Sequence, residues 1–248
     1  MCIRDRLNWS GYIHSGLFSS VTGTFVVPGV TAGQDDVTPA AASEWVGLDG
    51  VTNAGLFIRA GVTEVDPSTG EGYCSPPPPG VSCIYPWWEV SPGAAQPTPG
   101  AAQPTPIIMT VNAGDSITVT IFQIKGNTWA ITLADNTSGQ NFRAEETYSG
   151  RGATAEDIVD APASVPYTTA PATSSSTSTT TGTQMTEAIG ALADYSPAVP
   201  FTNLHTVGTA KSTAAVLLVQ HGVQVSTPSV FTTAGFSVAY GSIVPPAP

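Results

Sequence analysis

Basic residues are scarce: Lys and Arg together number 7 in 248 residues against 18 Asp and Glu, for a formal charge of -11 and a pI near 4.3. A phosphate backbone would be repelled by such a surface, which excludes nucleic acid as a partner. Charged residues of either sign make up only 10% of the chain, so the helix formers Lys, Arg and Glu are in short supply. No run of 18 apolar residues occurs and no segment has the apolar centre of a signal peptide, so no membrane span is expected. There is no Gly-x-Ser-x-Gly elbow, no His-Glu-x-x-His, no Asp-Thr-Gly or Asp-Ser-Gly triplet and no phosphate-binding glycine loop. His14, His205 and His221 are scattered without ligand spacing, so no metal and no cofactor are expected. What is plentiful is Gly (25), Pro (22), Ser and Thr, the composition of strands joined by turns. The length suffices for a substantial core in one all-β domain without an oligomer, and a monomer is expected. With so few bases, protonating the carboxylates leaves only a modest positive charge, which suits an acidic environment.

The first six residues, Met1 to Arg6, hold three charges and read unlike anything after them; they are expected to be a non-native leader outside the fold, with residues 7–244 as one domain and 245–248 as a tail. Cys74 and Cys83 flank the loop Ser75-Pro-Pro-Pro-Pro-Gly-Val-Ser82 without the His or further Cys of a zinc site. A disulfide across that loop is expected, with two free thiols as the alternative; it implies an oxidising, extracellular compartment.

Strand signals recur along the chain. Two short strands are expected between Asn8 and Phe25, then Ser43–Asp49, Leu56–Glu64, Ile84–Val90, Pro106–Val111, Ser116–Phe122, Thr128–Leu133, Gln140–Glu146 and Ala155–Asp160. The last third adds Ala198–Thr202, Ala215–Val219, Val223–Val225 and Phe236–Tyr240. The tandem repeat over residues 93–106 and the Ser/Thr-rich tract over 171–183 read as inserted loops. A dozen short strands with turns at close spacing predict an antiparallel two-sheet β-sandwich. Against that background, the residues able to do chemistry are carboxylates beside tryptophans in strands: Glu44 by Trp45, Asp49, Glu89 by Trp88, and Glu156.

These blocks carry a resemblance. Asn8-Trp9-Ser10-Gly11, Val21-Thr-Gly-Thr-Phe25, Ser43-Glu-Trp-Val-Gly-Leu-Asp-Gly50, Trp87-Trp-Glu89, Ala113-Gly-Asp115, Ala155-Glu-Asp-Ile-Val-Asp160, Leu192-Ala-Asp-Tyr195 and Val219-Gln-His-Gly222 resemble, in order, the glutamic peptidases or eqolisins. The resemblance implies two curved, seven-stranded antiparallel sheets in a concanavalin A-like sandwich, and a secreted acid endopeptidase acting on proteins and peptides. It implies Glu156 as the residue that activates water and then protonates the leaving amine. Trp9, Trp45, Asp49, Trp87 and Glu89 are implied to line the groove or support the catalytic pair.

One position departs. The family's second catalytic residue, a glutamine two residues before a glycine on the strand after the Trp45 block, is Arg59 here. An arginine can hold an oxyanion. Within about 4 to 6 Å its charge would also pull the Glu156 pKa down by roughly 1 to 3 units and could lock it in an ion pair. Two other readings stand beside the peptidase. One is a catalytically silent relative that binds peptide or glycan in the same groove. The other is a laminarinase-like glycoside hydrolase, suggested by Glu64-Val-Asp66 but interrupted at once by Pro67.

Overall fold

In the computed structural model the described residues are 4–6, 8–31, 40–51, 56–66, 83–91, 104–164 and 188–248. They form strands and turns, with no helix among them. In chain order the first strands are β1 (Arg4–Arg6), β2 (Trp9–Val26), β3 (Gly29–Thr31), β4 (Ala40–Leu48), β5 (Phe57–Val65) and β6 (Cys83–Ser91). Next come β7 (Thr105–Pro106), β8 (Ser116–Lys125), β9 (Thr128–Asp135), β10 (Asn141–Thr147), β11 (Thr154–Asp160) and β12 (Ala163–Ser164). The chain closes with β13 (Ala188–Ile189), β14 (Ala191–Leu192), β15 (Asp194–Ser196), β16 (Val199–Gln220), β17 (Val223–Pro228) and β18 (Phe236–Tyr240).

Two long strands organise the rest. Along one edge of β2, the first half pairs with β11 and the second half with β8; along the other edge β16 follows it from Val216 to Phe201. One layer therefore runs β7-β6-β5-β4-β11-β2 and the other β10-β9-β8-β2, with β16 continuing both, so the two halves of the sandwich belong to a single hydrogen-bonded network of 14 strands. Pairing is antiparallel except for β1 with β16 and β14 with β4. Layers meet where β4 and β5 pack against β8 and β9, and the core between them includes Val46, Leu48, Ile58, Ala60, Val119, Ile121, Ile131 and Phe201.

The segment from Asn8 to Phe25 is one 18-residue strand rather than two, and Ala198–Thr202 and Ala215–Val219 are the ends of one 22-residue strand. The polar and glycine residues that read as turns are absorbed instead by register shifts between β2 and β16, at Thr202/His205, Val207/Gly208 and Ala210/Ser212. Such bulges bend a strand while its flanking pairings continue. Of the strand expected over Pro106–Val111 only Thr105–Pro106 pairs, on β6. Arg4–Arg6, expected to lie outside the fold, pairs with Val216–Leu218. Cys74, most of the tandem repeat and the Ser/Thr tract lie outside the described residues.

Candidate active site

Register places the chemistry. Glu156 on β11 lies opposite Gly47 on β4, Gly47 opposite Arg59 on β5, and Arg59 opposite Glu89 on β6. Residues directly opposite share a face, so one row across four strands reads Glu156, Gly47, Arg59, Glu89, with Ile13 of β2 beyond Glu156. Two residues further on, the same face carries Ile158, Trp45, Gly61 and Trp87, and then Asp160, Ser43, Thr63 and Tyr85. This face builds a second apolar cluster, separate from the core, of Trp9, Ile13, Trp45, Trp87, Ile158 and Val216. Trp9 meets Trp45 edge to face at 5.0 Å, and the Trp87 indole donates to Thr63 Oγ1 at 2.8 Å.

Glu156 is fully buried, and neither Oε has a hydrogen-bond partner among the described residues. Burial pushes its pKa up to about 8; the nearby Thr154 hydroxyl and Gly50 N–H oppose this, and the Asp49 and Asp157 charges add to it. Arg59 does not reach it. Its Nε donates to Glu89 Oε2 at 2.8 Å and its Nη2 pairs with the same oxygen at 2.8 Å, and its guanidinium lies 4.6 Å from the Phe57 ring, 5.2 Å from Trp45 and 5.6 Å from Trp87. The expected lowering of the Glu156 pKa by Arg59 is therefore not found. The physical reason is register: Glu89 stands on the adjacent strand, whereas Glu156 is two strands and about 10 Å of backbone away, beyond a glycine.

Asp49 ends β4 in a left-handed conformation at φ 70 and takes hydrogen bonds from Tyr148 OH at 2.8 Å, Gly152 N at 2.7 Å and Ala153 N. Asp157 points to the opposite face, as strand alternation requires, with the His14 Nε2 3.7 Å from its carboxylate. Glu44 and Glu64 also face away, into the core; Glu64 lies on the side opposite the tryptophan-lined face, which counts against the glycoside hydrolase reading.

Sequence reasoning missed three residues. Asp160, four residues after Glu156 and so on the same face, is buried beside the Trp45 indole; burial pushes its pKa up to about 7 against the opposing charge of Arg59. Phe57 stacks on Arg59 from two positions earlier on its strand. Period-2 alternation could have found both. Tyr148 has no such signal, since it reaches Asp49 across 99 residues. No group of three or more His, Cys, Asp or Glu among the described residues is placed to hold a metal ion.

An acidic side chain and a cation on one tryptophan-lined face of a β-sandwich define a candidate hydrolase site. The sequence profile of the Peptidase A4 family matches residues 7–240, and the chain belongs to that family, a family of glutamic-type peptidases. The fold is similar to that of scytalido-glutamic peptidase solved with a peptide-based transition state analog (20% identity, TM-score 0.68, covering 95% of this chain and 98% of that one). It is also similar to SCP-B, a member of the eqolisin family solved with the tripeptide Ala-Ile-His (20%, 0.66, 95% and 98%), and to aspergilloglutamic peptidase from Aspergillus niger (22%, 0.53, 81% and 99%). No curated protein sequence matches the chain.

Proposed function

We propose that the protein is a secreted, monomeric acid endopeptidase in which Glu156 moves the proton and Arg59 steadies the developing oxyanion. The observation that carries this reading is the row itself: a buried carboxyl, a side-chain-free position at Gly47, and a guanidinium, on one face. The ionised Glu156 takes a proton from a water as its oxygen bonds to the scissile carbonyl carbon, and the carbonyl oxygen becomes an oxyanion. The protonated Glu156 then gives that proton to the leaving nitrogen as the C–N bond breaks. Two of Arg59's five donors are held by Glu89, and the remainder are available to the oxyanion. A water donating to Glu156 opposes the rise in pKa that burial causes and so favours the ionised form. A Cys74–Cys83 disulfide, consistent with secretion, belongs to this reading.

The purified protein is expected to cleave an unfolded protein substrate at acidic pH, insensitive to chelators and to pepstatin-type inhibitors. Glu156→Gln is expected to lower the rate by about 100-fold or more; cleavage that survives this change removes Glu156 from the mechanism. A second reading, a silent relative that binds peptide or glycan, is favoured by the way Glu89 and three rings fix Arg59. An inert wild type that gains activity on Arg59→Gln decides for it.

A further inference from the structure

Tyr148 lies in the segment before β11 and is 1% exposed. Its backbone N–H donates to Asn127 O at 2.8 Å and its ring meets Trp129 edge to face at 5.8 Å, so it is anchored to the β8–β9 turn and to β9 in the opposite layer. From there its hydroxyl donates to Asp49 Oδ2 at 2.8 Å, beside the Gly152 N–H on the same oxygen at 2.7 Å. The Asp49 N–H in turn donates to Thr154 O at 3.1 Å, two residues before Glu156. The three donors fix Asp49 next to Glu156, where its charge opposes loss of the Glu156 proton, and the Tyr148 hydroxyl feels both carboxyls.

We propose that Tyr148 is a positioning residue for Glu156: through Asp49 it locks the start of β11 to the end of β4 and sets how much of the Asp49 charge the buried carboxyl experiences. This inference rests on the reading of Glu156 as the proton carrier. The other charged groups around Glu156 are Arg59 on β5, paired to Glu89 on β6, and Asp157 and Asp160 on its own strand; β2 presents only Ile13. None of these touches Tyr148, so the Tyr148 hydroxyl can be removed without disturbing them. A donor to Asp49 spreads its charge; without the hydroxyl, the carboxylate keeps only the Gly152 and Ala153 N–H donors and favours the protonated form of Glu156 more strongly.

The test is a carbon NMR titration of the full chain labelled at the glutamate carboxyls, with Glu156→Gln assigning the resonance. In Tyr148→Phe, which keeps the ring on Trp129, the Glu156 midpoint is expected to rise by roughly half a pH unit to one, and in Asp49→Asn to fall by about one. A midpoint unchanged or lowered in Tyr148→Phe overturns the proposal, as does an unchanged midpoint in Asp49→Asn; if one variant fails to fold, the other decides. Because the titration needs no turnover, an inert enzyme would count against the peptidase reading and leave this result standing.

Discussion

At the scale of single residues, Arg59 and Glu89 are tied more closely than either is to Glu156. Glu89 is 2% exposed and Arg59 21%, so removing one partner leaves the other partly or wholly buried without its counter-charge. Glu89→Gln is therefore expected to cost about 3 kcal/mol in urea denaturation. The same change in an Arg59→Gln background is expected to cost at least 1 kcal/mol less, because the two share one contact. Equal costs in both backgrounds would mean that the ion pair contributes nothing. The identity of these residues was legible before any coordinates, since the strings around Trp45, Trp87 and Glu156 mark them. Their partners were not. Which acid Arg59 takes depends on which strand lies beside β5, and no local pattern encodes the neighbours of a strand.

At the scale of elements, two glycines set the spacing of β4, β5 and β11. A Cβ on Gly61 would lie 2.1 Å from Glu44 O and 2.6 Å from Trp45 Cβ, so β4 could not stay where it is. A Cβ on Gly47 would meet Arg59 Cβ at 2.9 Å, Ile58 O at 3.1 Å and Trp45 Cζ3 at 3.1 Å, a milder overlap than at Gly61 that a small shift of β5 and the Trp45 ring would relieve. Gly61→Ala is expected to destabilise by about 2 kcal/mol or more, measured by urea denaturation. Gly47→Ala is expected to cost less stability yet to reduce peptidase activity, because it narrows the gap between Glu156 and Arg59. A reversed order of stabilities would show that the β4–β5 approach is looser than its geometry. Short strands with β-branched and aromatic alternation were readable, and Phe236–Tyr240 falls where its pattern put it. The merging of paired short segments into β2 and β16 was not readable, because a glycine that ends one strand and a glycine that bulges another look alike until the partner strand is known.

At the scale of the whole molecule, the core carries two acids with no cation paired to them among the described residues. Glu44 and Glu64 sit on adjacent strands, diagonal to one another on the core face, both fully buried and, among the described residues, without a hydrogen-bond or ion-pair partner other than each other. The Glu44 charge also reaches Tyr195, whose hydroxyl lies 2.6 Å from Ser226 Oγ. Burial raises the pKa of both carboxyls, and the Glu44 charge raises Glu64 further. When one carries a proton it can donate to the other; when both are ionised neither can donate, and two charges remain in hydrocarbon. Burial likewise pushes Glu156 to about 8 and Asp160 to about 7. In the unfolded chain all four ionise near the ordinary carboxylate value of about 4. Between that value and about 8 the folded protein thus binds more protons than the unfolded one, so stability is fully present in acid and falls as pH rises. Each such carboxyl contributes a loss of about 1.4 kcal/mol per pH unit over the interval where it differs between the two states. The urea midpoint is expected to drop steeply from pH 5 to pH 8, while Glu44→Gln combined with Glu64→Gln flattens that slope and leaves acid stability nearly unchanged. A midpoint independent of pH, or a slope that the double variant retains, would show that the pair is solvated or neutralised in solution. The same accounting connects stability to environment: a fold that keeps the core pair Glu44 and Glu64 protonated is one that persists in acid, where the proposed peptidase would work.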